Sequence, residues 1–175
     1  MAEALDPAIP AAVDELAKLV LREACDRAVM LTAAESCTGG LLASLLTDIP
    51  LMSHAFERGF VTYTHDAKAE MLGVPGDLLA REGAVSEACA RAMAEGALAH
   101  SHADVAVSIT GFTEGGPDQP AGLVHLAVVR RGGPTEHRRL ELGDVGRAKV
   151  RIGALQAALE MLAERLAKTP ASLRR

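Results

Sequence analysis

The run Thr32-Ala33-Ala34-Glu35-Ser36-Cys37-Thr38-Gly39-Gly40 gathers a carboxylate, three hydroxyls and a thiol within a few residues. It follows the apolar Val29-Met30-Leu31 and precedes Leu41-Leu42-Ala43-Ser44-Leu45-Leu46, which reads as strand, sharp turn and helix. A helix start carries unpaired N–H groups and partial positive charge, so it suits an anion or a developing oxyanion. Ser36 at such a turn is a candidate nucleophile. A serine hydroxyl needs a base, because its free form is almost wholly protonated.

Lys68 is the better base on physical grounds. It stands near the start of a helix read from Asp66, where the macrodipole disfavours a cation, and partial burial would lower its pKa further. Tyr63, the only tyrosine, ends a β-rich segment five residues earlier and is placed to relay a proton or orient the pair. Cys37 is a rival nucleophile, since a thiol at a helix start can be acidic; the other reading is a small buried residue. Glu35 either binds a substrate hydroxyl or holds the turn. The six histidines are scattered and form neither a triad signature nor a G-x-S-x-G elbow. No metal is expected: His100 and His102 lack a supporting ligand cluster.

The elements that must position these groups follow from periodicity and punctuation. Ala11 to Arg27 has apolar residues at helical spacing. Ala28 to Ala34 is the first strand, and Gly39 or Gly40 opens a second helix with Thr38 as N-cap. Phe56 to Tyr63 is β-rich, Asp66 to Leu72 is a short helix ended by Gly73 and Pro75, and Ser86 caps an Ala-rich helix to about His100. Asp104 to Thr110 is a buried central strand. Gly122 to Arg130 and Thr135 to Leu142 form a hairpin across Gly132-Gly133, and Val145 to Ala167 closes the chain as a helix. The alternation predicts a three-layer α/β/α sandwich with a mixed, mostly parallel sheet, in one domain over 1–175 with a frayed tail from about 169. Ligands of open α/β sheets gather at the carboxyl ends of strands, so the strands of Val29, Phe60 and Val105 are expected to converge on one crevice. Ser86, Thr110 and Gly111 join its candidate substrate contacts, and Gly115-Gly116 could offer amides to phosphate.

Composition narrows the partners. A formal charge of -5, three Phe, one Tyr and no Trp argue against nucleic acid. The pairs Arg130-Arg131 and Arg138-Arg139 read as solvated strand ends. No apolar run approaches the roughly 20 residues of a membrane span. The acidic start lacks a signal peptide's basic segment, and three cysteines without CxxC spacing indicate a reducing, cytoplasmic setting. The apolar helix faces point to a homo-oligomer.

Four stretches occur in order: Ala34-Glu35-Ser36-Cys37-Thr38-Gly39-Gly40, Phe56-Glu57-Arg58-Gly59-Phe60-Val61-Thr62-Tyr63, Gly83-Ala84-Val85-Ser86-Glu87 and Thr110-Gly111. Together they resemble the C-terminal domain of the competence/damage-inducible protein CinA, also found alone as nicotinamide mononucleotide (NMN) deamidase. The resemblance runs from about Val13 to Leu166. It implies an α/β/α fold and an amidohydrolase that converts NMN and water to nicotinate mononucleotide and ammonia, without metal or cofactor. It implies a Ser, Tyr and Lys set, which falls on Ser36, Tyr63 and Lys68. Substrate contacts would fall around Glu35, Cys37, Thr38, Gly39 and Gly40, the amides of this turn serving as oxyanion or phosphate donors.

Two departures stand out. Where the family reads Ser-Asn-Glu-Ala-Lys after the tyrosine, this chain has Thr64-His65-Asp66-Ala67-Lys68. Where the family has Ile-Ala-Gly-Pro, further glycines and Glu-Lys-Pro, this chain has the shorter Phe112-Thr113-Glu114-Gly115-Gly116-Pro117-Asp118-Gln119-Pro120. If that loop binds phosphate, Glu114 and Asp118 would repel it. Two other readings therefore stay open: a non-catalytic nucleotide-binding paralogue, and an amidase for another small carboxamide.

Overall fold

The computed structural model describes residues 9–169. Five strands form one sheet in the order β2-β1-β3-β4-β5, with β1 Leu31–Glu35, β2 Phe56–Val61, β3 Val105–Gly111, β4 Leu123–Arg130 and β5 Thr135–Glu141. β1 pairs in parallel with β2 and β3, while β4 runs antiparallel to both β3 and β5. Four of the five strands therefore point the same way, which is the mixed, mostly parallel sheet read from the sequence. The helices are α1 Ala11–Asp26, α2 Leu41–Thr47, α3 His65–Leu72, α4 Gly76–Glu82, α5 Glu87–Ala99 and α6 Arg147–Ala167.

Strand alternation sends side chains to opposite faces and so makes two cores. Leu31, Ala33, Val105, Val107, Ile109, Val124, Leu126 and Val128 pack with α1, α2 and α6. Ala34, Phe60, Ala106, Ala127 and Val129 pack with α3, α4 and α5. The small residues on this second face let α5 approach closely. Ser108 donates to Ala90 O at 2.6 Å, fixing that approach.

Several boundaries differ from the sequence reading. β1 begins at Leu31, because Ala28 adopts a left-handed φ of 51° and turns the chain into the strand. Ala28–Met30 is not strand. A further helix, α4, follows Pro75 and was not read from the sequence. The hairpin, the long α5 and its Ser86 cap stand as expected: Ser86 Oγ accepts from Cys89 N at 3.1 Å. The tail reading fails at its first residue. Thr169 is buried, donates to Arg165 O at 2.8 Å, and its carbonyl accepts from Arg27 at 2.8 Å. The rest of the tail and the acidic N-terminal segment lie outside the described residues.

The arginine pairs are not simply solvated. Arg131 donates to the carbonyls of Leu98, Ser101 and Ala103, closing the end of α5. Arg138 pairs with Glu160 at 2.9 Å and Glu164 at 2.8 Å on α6. Among the described residues, no helix is long and apolar enough to cross a membrane.

Candidate active site

The carboxyl ends of β1, β2 and β3 lie side by side, and the Ser36 turn leaves the middle one. Ser36 N donates to Ile109 O at 3.0 Å, and Thr62 N donates to Glu35 O at 2.8 Å. These bonds carry the ladder one residue past each strand and fix where the turn starts. Gly39 and Gly40 then take left-handed φ values of 62° and 92°. Only glycine adopts such a pair readily, and a Cβ on Gly40 would also press against Val61 at 3.3 Å.

The turn is not capped as expected. Thr38 does not serve as N-cap: Gly40 holds that position without a side-chain bond, and Thr38 Oγ1 is buried with no hydrogen-bond partner. Glu35 does the capping instead. Its carboxylate accepts from Leu42 N at 3.1 Å and Ala43 N at 2.8 Å. Of the two roles weighed for Glu35, the structure gives it the second, holding the turn. The carboxylate occupies the anion position of α2.

Ser36 and Lys68 meet. Lys68 Nζ lies 3.0 Å from Ser36 Oγ and donates to Thr62 O at 2.7 Å. Lys68 is only 1% exposed. It sits on the fourth residue of α3, whose first turn is capped by Thr64 accepting from Ala67 N. Burial pushes its pKa below the usual lysine value of 10.5, opposed by the neighbouring Cys89 and Cys37 thiols. Desolvation, rather than the helix dipole invoked from the sequence, is the main cause. While lysine is charged, its ammonium donates to the Ser36 oxygen. Once it is neutral, its lone pair can accept the Ser36 proton at the same distance, with the Thr62 carbonyl still holding one N–H.

Tyr63 does not join this pair. Its side chain is 65% exposed and makes no hydrogen bond to Ser36 or Lys68. Cys37 is buried, and burial pushes its thiol up to about 11. It is no thiolate at neutral pH, so its candidacy as nucleophile falls.

The other proposed contacts hold the frame. The Ser86 hydroxyl donates to Gly83 O at 3.0 Å, and Thr110 Oγ1 donates to Ala84 O at 2.7 Å. Gly111 passes so close to β4 that a Cβ would meet Leu123 O at 2.8 Å. The Gly39 amide is used by Ser36 O, and the Gly116 amide by Gln119 O. Among the described residues, the amides of Thr38 and Gly40 have no backbone acceptor. A cleft of about 470 Å³ opens beside Gly111, lined by His65, Ala84, Phe112, Asp118 and Leu123 among others.

Two residues of the site escaped the sequence reading. Arg151 donates to Thr38 O at 2.7 Å, and Arg147 donates to Thr113 Oγ1 at 2.8 Å. Arg147, Lys149 and Arg151 crowd the start of α6, which has no acidic residue in its first turn. Cations there oppose the macrodipole. That misplacement was a legible signal of an anion nearby. Glu114 lies 3.6 Å from Arg147, so part of this charge is answered within the loop.

Residues 13–166 match the CinA C-terminal domain family. A CinA-like protein of Anaeromyxobacter sp. (strain Fw109-5) is 44% identical over 154 residues, 86% of this chain and 37% of that protein. A CinA-like protein of Akkermansia muciniphila is 50% identical over 123 residues, 69% of this chain and 30% of that protein. The chain thus spans about a third of the length of the curated relatives it matches. Among solved structures, the competence/damage inducible protein CihA from Agrobacterium tumefaciens superposes with a TM-score of 0.86 at 43% identity, covering 93% of this chain and 99% of that one. The competence damage-inducible protein A from Klebsiella pneumoniae gives 0.84 at 39% identity, covering 89% and 97%.

Proposed function

The chain belongs to the CinA C-terminal domain family, and we propose that it is an amidohydrolase releasing ammonia from the carboxamide of a pyridine mononucleotide, NMN foremost. The observation that carries this reading is a buried, desolvated amine 3.0 Å from a serine hydroxyl. A structural lysine gains nothing from that position, whereas a base for a serine nucleophile requires it.

In the proposed reaction Ser36 Oγ attacks the carboxamide carbon while its proton passes to neutral Lys68. The tetrahedral intermediate places negative charge on oxygen, within the turn whose Thr38 and Gly40 amides have no backbone acceptor among the described residues. Losing one such donor typically costs about 3–4 kcal/mol of barrier. The proton returned by Lys68 converts the leaving amine to ammonia. Water then hydrolyses the acyl-enzyme, with Lys68 again the base. The buried Thr38 and Thr62 hydroxyls, which lack partners among the described residues, supply further polar contacts for the carboxamide. Exposed Tyr63 borders the site as a face for the pyridine ring. Arg147 and Arg151 take the phosphate that Glu35 excludes from α2.

The test is ammonia release from NMN by purified protein, with and without chelator. Activity that survives the chelator and disappears in both Ser36→Ala and Lys68→Ala supports the reading. A fully active Ser36→Ala protein overturns it. A second reading has its own observation: Glu114 already engages Arg147, which favours a smaller carboxamide without phosphate. A panel of carboxamides with and without phosphate separates the two.

A further inference from the structure

At the opposite end of the sheet from Ser36, a cavity of about 370 Å³ opens between the end of α1 and the starts of β1 and β2. The length of β1 separates the two places, roughly 16 Å. Its walls include Ala24, Val29 and Ala55, small apolar side chains that leave room for a ligand body. Cys25 and His54 also line it, with Sγ 3.7 Å from Nε2. The thiol equally faces Met52 O at 3.7 Å. A single S–H proton serves one acceptor at a time. Burial and Asp26 raise the thiol's pKa, which favours a neutral thiol within reach of the His54 ring. Ala28, also on the wall, holds a left-handed φ of 51°.

We propose that Cys25 and His54 form a second reactive site that captures a small, neutral, largely apolar molecule carrying an electrophilic carbon–carbon double bond. A cavity of this size accommodates a small ligand. Neutrality follows from the small apolar walls, which would strip a charged ligand of its water, and from Glu57, another lining residue, whose carboxylate is already paired with Arg58 at 2.6 and 2.7 Å. In the capture step His54 Nε2 takes the thiol proton as sulfur attacks the β-carbon. One S–C bond forms, the C=C π pair moves to the α-carbon, and the imidazolium returns its proton there. The product is a thioether adduct, with no oxidant and no leaving group.

N-ethylmaleimide, a neutral probe of this class, tests the proposal by intact mass and peptide mapping. The expected result is one adduct on Cys25, at a rate that saturates with reagent because binding precedes capture. Removing a positioned base typically costs 10²–10⁴ in rate. His54→Ala should therefore slow capture roughly a hundredfold, and His54→Gln, which keeps a polar side chain but no base, should match it. A carboxylate-bearing maleimide should react at least about tenfold more slowly than the neutral one. His54 is exposed, so thermal melts of both variants should match the parent protein. Unchanged rates in both His54 variants, first modification at Cys37 or Cys89, or equal rates for neutral and anionic maleimides would overturn the proposal.

Discussion

Lys68 Nζ lies 3.0 Å from Ser36 Oγ and is covered almost entirely by protein, with no carboxylate of the described residues in hydrogen-bond contact. The amine is thus held where its charged form is least stable. Two consequences follow for pH. Catalysis needs the neutral amine, so kcat/KM for ammonia release should climb as pH rises through the pKa of Lys68, which burial sets below 10.5. Stability should move the same way. The unfolded chain binds the Lys68 proton between the lowered folded value and the ordinary one, so stability rises with pH across that window. Lys68→Met should abolish activity, raise the melting temperature at neutral pH and flatten this rise. Melting curves across the alkaline range check it, and a fall in stability for Lys68→Met at neutral pH would contradict it.

Glu35 replaces an external anion at the start of α2, so removing its carboxylate leaves the Leu42 and Ala43 amides unpaired. An unsatisfied buried polar group costs about 1–3 kcal/mol. Glu35→Ala should destabilise the protein within that range or slightly beyond it, or roughly 2–4 °C of melting temperature per kcal/mol. Glu35→Gln should fall between, because its amide oxygen accepts one N–H while its NH₂ opposes the other. Activity should drop in both, since Ser36 rides on the same turn.

The packing that delivers Lys68 depends on Gly96. A Cβ there would collide with the carbonyl of Leu72, on the helix that carries Lys68. Overpacking typically costs about 1–3 kcal/mol, so Gly96→Ala should lower stability by at least that much and reduce kcat by displacing α3. Gly76→Ala is the control. Nothing lies within 4 Å of a Cβ at that position, and its φ is not left-handed. Restricting the unfolded chain there should be neutral or stabilising by about 0.4–1 kcal/mol. Equal melting temperatures for the two variants would show that the α3–α5 contact is not the constraint.

His125 and His137 stack with ring centroids 5.2 Å apart and share a 2.9 Å Nδ1–Nε2 contact. Burial lowers both pKa values below 6.5; Arg139 and Arg91 add to the effect, and Glu87 opposes it from 3.4 Å. The folded state therefore binds fewer protons than the unfolded one between these lowered values and 6.5. Stability should fall as pH drops through that interval. His137→Gln should shrink the loss, measured as the difference in urea midpoint between pH 7 and pH 5.

What the sequence disclosed depended on the range of the interaction. Gly73 and Ser86 act within a turn of their helices, so their caps were visible in local order. Ser36 and Lys68 were paired from chemistry and resemblance, since a turn serine needs a base and one lysine stood at a helix start. That lysine lies against Cys89 of α5 and the Ser36-Cys37 turn after β1, which no local pattern describes. Glu35 stayed open between two roles because its partners are seven and eight residues on, beyond the ordinary capping distance. The contact from Arg151 to Thr38 spans 113 residues and was legible only as unexplained cations at a helix start. Tyr63 looked like a partner because it is close in sequence to Lys68; it stands in the connection between β2 and α3 and is left exposed.

Those cations give the most discriminating prediction about substrate. Arg147 is tied to Thr113 and lies 3.6 Å from Glu114, so it is not wholly neutralised and can meet a phosphate. A hydrogen bond to a charged group contributes about 1.5–3 kcal/mol. Arg147→Ala should therefore raise KM for NMN roughly tenfold to a hundredfold with kcat little changed, and leave hydrolysis of the phosphate-free nucleoside unaffected. Glu114→Gln should act in reverse, lowering KM for NMN by freeing the guanidinium. Steady-state kinetics on the mononucleotide and its nucleoside decide the matter. If Arg147→Ala weakens both substrates equally, the arginine only braces the 112–120 loop, and the phosphate-free carboxamide becomes the better assignment.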